Sequence, residues 1–210
     1  MPKKPTAPAP AFAEHATEDL ERMRRDAAEC RRCDLYREAT QVVFGEGAGD
    51  ARVLLVGEQP GDREDEFGRP FVGPAGRFLD ACLEEAEIDR KACYLTNAVK
   101  HFKFKRLGKR RIHEKPNTGE IRRCAWWLGG EIAALKPKLI VAMGATATFT
   151  LFGKRHAVTA DRGRIVDTES GVPALITVHP SSLLRSRGRP DALQERARFV
   201  SELRKIKAFL

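Results

Sequence analysis

Several residues of the chain stand where side-chain chemistry is often done, directly after short apolar runs. Glu58 follows one run in Gly57-Glu58-Gln59-Pro60-Gly61, where a carboxylate can act as a general base or stabilise a developing cation. Asn97 ends a second run. Its amide sets a donor beside an acceptor, which matches a pyrimidine edge, although an Asn there can equally cap a strand. His179, fixed by Pro180 and followed by Ser181 and Ser182, can donate to a leaving group. Phe71 lies in Gly68-Arg-Pro-Phe-Val-Gly-Pro-Ala-Gly76, where it either packs or offers a rigid face to a planar base. This glycine-rich stretch lacks the Lys-Ser/Thr of a phosphate loop and the spacing of a dinucleotide fingerprint.

Cys30-x-x-Cys33 supplies half of a metal or cluster site, or simply two unpaired thiols. A thioredoxin-like redox pair would follow a strand, and this one follows a charged helical stretch. Cys124 and His101 are candidate further ligands. Cys82, on an apolar helix face with Phe78, Leu79 and Leu83, and Cys93, inside an apolar run, read as small buried hydrophobes. Zinc accepts such a ligand set, and an iron–sulfur cluster prefers thiolates but tolerates His; spacing leaves both open.

The net charge of +9 is unevenly placed. Lys100–Arg123 holds 10 basic and 2 acidic residues, so the rest of the chain is nearly neutral. A local cationic segment excludes a generally basic, histone-like chain and points to an anionic partner, foremost nucleic acid. Lys109, Arg110, Arg111 and Lys115 read as phosphate contacts. His113 sits among them beside Glu114; like charges favour its neutral imidazole, which is a nucleophile or a base.

These residues need a scaffold. Four short runs, Val53–Val56, Cys93–Thr96, Leu139–Met143 and Ala174–Val178, read as buried strands. Helical patterns cover Glu14–Glu29, Ala75–Ala86, Gly119–Leu135, Ala145–Phe152 and Asp191–Phe209, with Asn117 and Glu120 placed as a capping box. Strands alternating with helices predict an α/β fold with a parallel sheet and helices on both faces. Ligands then bind beyond the carboxyl ends of the strands, where the polar segments lie. Hydrophobic content of 42% and charged content of 32% fit one globular domain over residues 14–210. Residues 1–13, with four prolines, are expected to form a loose tail. No run approaches the roughly 18 apolar residues of a membrane helix. With no apolar export signal, a reducing cytoplasm is expected for the five cysteines.

Taken in order from about Glu29 to Arg185, the segments resemble the iron–sulfur uracil-DNA glycosylases of family 4. The matching pieces are Cys30-x-x-Cys33, the Gly57–Gly61 loop, Pro70–Gly76, Thr96–Lys100, Cys124 and His179–Ser182. Three departures are His101 where family 4 has Cys, Gln59 where it usually has Ala, and the inserted Lys109-Arg-Arg-Ile-His113. All three are similar to the UdgX-type uracil-DNA glycosylases.

The resemblance implies a three-layer α/β/α fold with a four-stranded parallel sheet. It implies a 4Fe–4S cluster held by Cys30, Cys33, His101 and Cys124, with a structural rather than redox task. It implies excision of uracil from DNA, single strands favoured, followed by covalent capture of the abasic sugar at C1′ by His113. Phe71 would stack on the base, Asn97 would read its edge, and Gly57, Gln59 and His179 would complete the uracil pocket. Glu58 would stabilise the sugar cation, Gln59 would position groups, and His179 would stabilise the departing uracil. Lys109, Arg110, Arg111, Lys115, Ser181 and Ser182 would hold the DNA, and the enzyme would work as a monomer. Two other readings stand beside it: a glycosylase that turns over, with His113 merely touching DNA, and a metal-stabilised nucleic-acid-binding module without activity.

Overall fold

The computed structural model describes residues 19–210. The expected tail and the first five residues of the expected first helix lie outside the described residues. A helix α1 (Leu20–Ala28), capped by Asp19, leads to Cys30. Strand β1 (Val53–Gly57) is followed by the short helix α2 (Asp62–Phe67) and by α3 (Pro74–Glu85). Strand β2 (Cys93–Asn97) leads into β3 (Phe104–Leu107) and β4 (Arg110–His113). Then come α4 (Thr118–Leu135), β5 (Leu139–Met143), α5 (Ala145–Phe152) and α6 (Val158–Asp161). Strands β6 (Ile165–Asp167) and β7 (Pro173–Thr177) precede α7 (Pro180–Arg185) and α8 (Ala192–Arg204).

The sheet has the order β2-β1-β5-β7-β6. The four expected strands pair in parallel. The fifth, β6, pairs antiparallel with β7, so the sheet is mixed and five-stranded rather than four-stranded and parallel. Ile165-Val-Asp167 is too short to show a period, and only its neighbour β7 defines it as a strand.

Alternation along each strand builds two cores. Val53, Leu55, Val141 and Leu175 face α3 and α8, packing on Leu79, Leu83, Phe199 and Leu203. Leu54, Val56, Ile140 and Ile176 face the other way, onto Leu128, Ile132, Leu151 and Phe152 of α4 and α5. The central strands are buried on both faces, which is why they read as continuous apolar runs. A third cluster, with Met23, Phe44, Ile121 and Trp127, fastens α1 to α4. The expected capping box forms: Glu120 N–H donates to Asn117 Oδ1 and Asn117 N–H to Glu120 Oε2.

The cationic segment is not an open loop. Residues 104–113 form an antiparallel hairpin closed by Gly108 and Lys109, with Gly108 at φ +58°. Its strands are mostly exposed and charged, so no apolar alternation announces them.

Candidate active site

The polar segments after β1, β2, β5 and β7 converge on one cavity of about 1100 Å³ at the carboxyl edge of the sheet. Register does the first part of the work. Gly57 pairs with Asn97, and the N–H of Gly144 donates to Thr177 O, so all four strand ends finish level. Gly57 forms the meeting point. A β-carbon there would lie 2.4 Å from Asn97 Oδ1, 2.7 Å from Phe71 Cζ and 3.3 Å from His179 Nε2, so only hydrogen leaves those three groups their positions.

Phe71 adopts φ +57°, an uncommon region for a bulky residue and one that is held by surrounding structure at functional sites. The constraint is visible: a β-carbon at Gly76 would lie 1.8 Å from the Phe71 carbonyl oxygen. Buried Glu64 closes the loop, accepting from the N–H groups of Gly61 at 3.1 Å and Gly73 at 2.7 Å. The Phe71 ring is buried and stacks on His179 with centroids 6.3 Å apart.

His179 caps α7. The N–H and hydroxyl of Ser181 face its Nδ1 at 3.2 and 2.8 Å. Accepting there, the neutral ring carries its proton on Nε2, the atom turned toward Gly57. Burial pushes its pKa down to about 4, against the opposing pull of Glu58, so the ring is a neutral donor. Ser182 donates to the His179 carbonyl at 2.7 Å. Both serines, expected to touch DNA, are engaged in holding His179.

Glu58 faces two partners. His113 Nε2 stands 3.3 Å from its Oε1, and the Thr146 hydroxyl donates to its Oε2. Burial raises the Glu58 carboxyl, but the bonds from His113 and Thr146 and the nearby imidazoles outweigh it and hold it below the usual carboxylate range. Sequence reading set Glu114 beside His113; the fold brings Glu58 instead. Thr146 was passed over, although it stands just after a strand, the position that flagged its neighbours.

Gln59 is spent on positioning. Its amide donates to the carbonyls of Lys103 and Glu114, each at 3.1 Å, and accepts from Lys103 N–H. Lys103 and Glu114 flank the hairpin, so Gln59 fixes the stem that carries His113. Arg111, expected on phosphates, is committed elsewhere: it pairs with Asp62 at 2.6 Å and with buried Asp65, docking the hairpin on α2. Lys100 is wholly buried with Glu131 at 2.6 Å, and Lys103 pairs with Glu120 at 3.1 Å. The segment's count of cations therefore overstates its surface charge. Lys109, Arg110 and Lys115 have no ion-pair partner among the described residues.

Cys30, Cys33 and Cys124 are neighbours where the α1 end meets α4, and burial pushes the Cys33 and Cys124 thiols up. Trp127 Nε1–H points at Cys30 Sγ at 3.2 Å, and Lys100 N–H at Cys124 Sγ at 3.1 Å. His101 follows Lys100 and is buried. Among the described residues, no three His, Cys, Asp or Glu side chains converge closely enough to hold one ion. The N–H donors aimed at the sulfurs of Cys30 and Cys124 suit metal- or cluster-bound thiolates. Cys82 and Cys93 are buried in the core under α3, consistent with the reading as small hydrophobes. Among the described residues, no helix is long and apolar enough to cross a membrane.

The family model described as "Uracil DNA glycosylase superfamily" matches residues 44–204. The chain is 37% identical over 182 residues to a type-4 uracil-DNA glycosylase of Thermotoga maritima, covering 86% of this chain and 89% of that one. It is 35% identical over 176 residues to the type-4 enzyme of Pyrobaculum aerophilum, covering 80% and 85%. A type-5 uracil-DNA glycosylase of the same organism is 28% identical over 157 residues, covering 67% and 66%.

Proposed function

This chain belongs to the uracil DNA glycosylase superfamily and is a glycosylase; we propose that it captures the sugar it exposes, through His113, after removing uracil from DNA. The observation that carries the reading is the placing of His113 Nε2 against Glu58 at the mouth of the cavity where Phe71, Asn97 and His179 meet.

The uracil nucleotide leaves its strand and enters the cavity. Phe71 stacks on the base, Asn97 pairs with its edge, and His179 Nε2–H donates to the oxygen on which negative charge grows. The electron pair of the glycosidic bond departs on uracil N1. The Glu58 carboxylate stabilises the cationic sugar that remains. The pair of the His113 Nε2–H bond then forms the Nε2–C1′ bond, and the proton passes to Glu58 and from there to the uracil anion. A group held in place outcompetes water through its effective concentration. Gln59 and Arg111 keep the hairpin in the position this attack needs. The product is a protein–DNA bond with no leaving path, and one molecule of enzyme acts once.

Cys30, Cys33, His101 and Cys124 would hold a 4Fe–4S cluster. When bound, it would supply a rigid cross-link between the segment after α1, the segment after the strand bearing Asn97, and α4. Lys109, Arg110 and Lys115 contact phosphates. Single-stranded DNA is favoured because its bases need no unpairing. The enzyme works as a monomer in the cytoplasm.

The test is incubation with a single-stranded oligonucleotide carrying one uracil, followed by a denaturing gel. A shifted band that survives heat and detergent supports the reading. Free abasic product alone leaves an ordinary turnover glycosylase. Neither product, with binding indifferent to uracil, leaves a binding module.

A further inference from the structure

The turn after β5, Gly144-Ala145-Thr146, carries no titratable group, yet it lies between two segments that do. In the order β2-β1-β5-β7, strand β5 stands between β1, which leads to Glu58, and β7, which leads to His179. Its turn sits midway along two strand spacings of sheet edge, about 10 Å. On one side Gly144, at φ +92°, makes room for His179: a β-carbon there would lie 2.9 Å from the His179 β-carbon. On the other side Thr146 donates its hydroxyl to Glu58 Oε2.

That hydroxyl departs from the habit of its own helix. Helix α5 carries threonines at 146, 148 and 150. The hydroxyls of Thr148 and Thr150 donate back four residues, to the carbonyls of Gly144 and Thr146 at 3.0 and 2.8 Å, the usual local bond of a helical Thr. Thr146 is buried, and its proton goes to a carboxylate 88 positions away in the sequence. Val has the same branched shape and no proton to give, so packing alone does not require Thr here. A hydrogen bond to an ionised carboxylate is among the stronger kinds. It occupies one oxygen of Glu58 and leaves Oε1 turned to His113 Nε2 at 3.3 Å.

We propose that Thr146 is a positioning residue for the reaction: by holding Oε2 it stops Glu58 from turning and leaves Oε1 for His113 and the sugar, while Gly144 in the same turn sets how far His179 stands from that carboxylate. The proposal rests on the uracil-DNA reading and deepens it. Breaking the glycosidic bond builds positive charge on the sugar and negative charge on the base, and groups already aimed at both need no rearrangement as the charges grow. A Glu58 free to turn divides its time between orientations, so sugar stabilisation and removal of the His113 proton both suffer. Ionisation follows the same bond. Burial raises the Glu58 carboxyl, and the bonds from His113 and Thr146 with the nearness of His179 bring it below the usual range. The titratable groups that bear on it are His113, from the hairpin, and His179, after β7, and a Thr146 variant leaves both in place.

The experiment compares Thr146→Val, which keeps the shape and loses the hydroxyl, with Thr146→Ser, which keeps the hydroxyl. First-turnover uracil release from a single-stranded oligonucleotide is followed across a pH series, and adduct is counted on a denaturing gel. Thr146→Val lowers the release rate at saturating protein by about tenfold or more, while the half-saturating concentration stays within about twofold. It also moves the acid limb of the profile to higher pH and yields less adduct per uracil released. Thr146→Ser restores the acid limb and most of the rate. A merely structural role would impair both variants alike and leave the acid limb where it was. An unchanged rate and acid limb in Thr146→Val, or equal losses in the two variants, overturns the proposal. If the protein releases no uracil at all, the function reading fails, and carbon NMR of the Glu58 carboxyl, assigned with Glu58→Gln, still decides what Thr146 does. Its titration midpoint rises in Thr146→Val and returns in Thr146→Ser where the hydroxyl holds the carboxylate; a midpoint that does not move overturns that hold.

Discussion

His113 Nε2 stands 3.3 Å from Glu58 Oε1, which brings the end of the hairpin onto the loop after the first strand. No local sequence feature links the two. The hairpin is steered there by Gln59 at its stem and by Arg111 on Asp62 and Asp65.

Separating the two roles of that pair is the first prediction. His113→Ser abolishes the heat-stable adduct and still releases uracil, leaving an abasic strand. Glu58→Gln slows release itself by about 10²-fold or more, the usual scale for a group that serves the transition state. A gel for adduct and chromatography for free uracil read the two. An adduct in the His113 variant would assign the nucleophile elsewhere.

Gln59→Ala removes three hydrogen bonds to the stem of the hairpin. The expected result is a lower ratio of adduct to abasic product and faster protease cleavage between residues 104 and 113. Global stability falls by about 1 kcal/mol, because half-buried main-chain groups lose partners. An unchanged ratio would mean that the stem is held without Gln59.

The His179 ring is pushed down to about 4 from its ordinary 6.5, so the unfolded chain takes up a proton before the native one does. Its contribution to stability is complete above pH 6.5 and is lost progressively as the pH falls from there through 4. His179→Gln, which cannot titrate, therefore shows a smaller drop in denaturant midpoint between pH 7 and 5 than the unaltered protein. Equal drops would place the acid sensitivity in other groups. Because the donor is the neutral ring, uracil release gains no rate from protonation of His179 between pH 8 and 5.

Iron analysis and visible absorbance check the ligand set. A brown protein with about four irons per chain is expected. His101→Ala and Cys124→Ser lower iron content and thermal stability more than Cys82→Ala or Cys93→Ala. The reverse ranking would remove His101 from the set.

Gly57→Ala sets a β-carbon among Asn97, Phe71 and His179. Uracil release falls at least tenfold in catalytic efficiency, while binding to uracil-free DNA persists. Retained release would show that the three groups move apart readily.

Much of the scaffold is legible in the chain itself. Val53–Val56 and Leu139–Met143 are apolar without a break because both sheet faces are covered, and the first runs directly into Gly57 and Glu58. Asn117 and Glu120 announce the start of α4 because a cap is a local bond. Glu58, Asn97 and His179 were found by the same rule: a polar residue just past a buried strand lies in the crevice.

Contacts between distant segments were decided by the tertiary structure. The hairpin is set by its docking on α2 and Gln59, not by an apolar period, so its sequence reads only as charge. Lys100 and Arg111 count as surface cations until Glu131, Asp62 and Asp65 reach them from other elements. Charge, hydrogen bonding and strand order depend on which segments meet, and sequence spacing carries that information only for partners a few residues apart. The chain by itself therefore determined the central strands, the long helices and the candidate groups at the strand ends, while the fold decided which carboxylate faces His113 and where free positive charge remains.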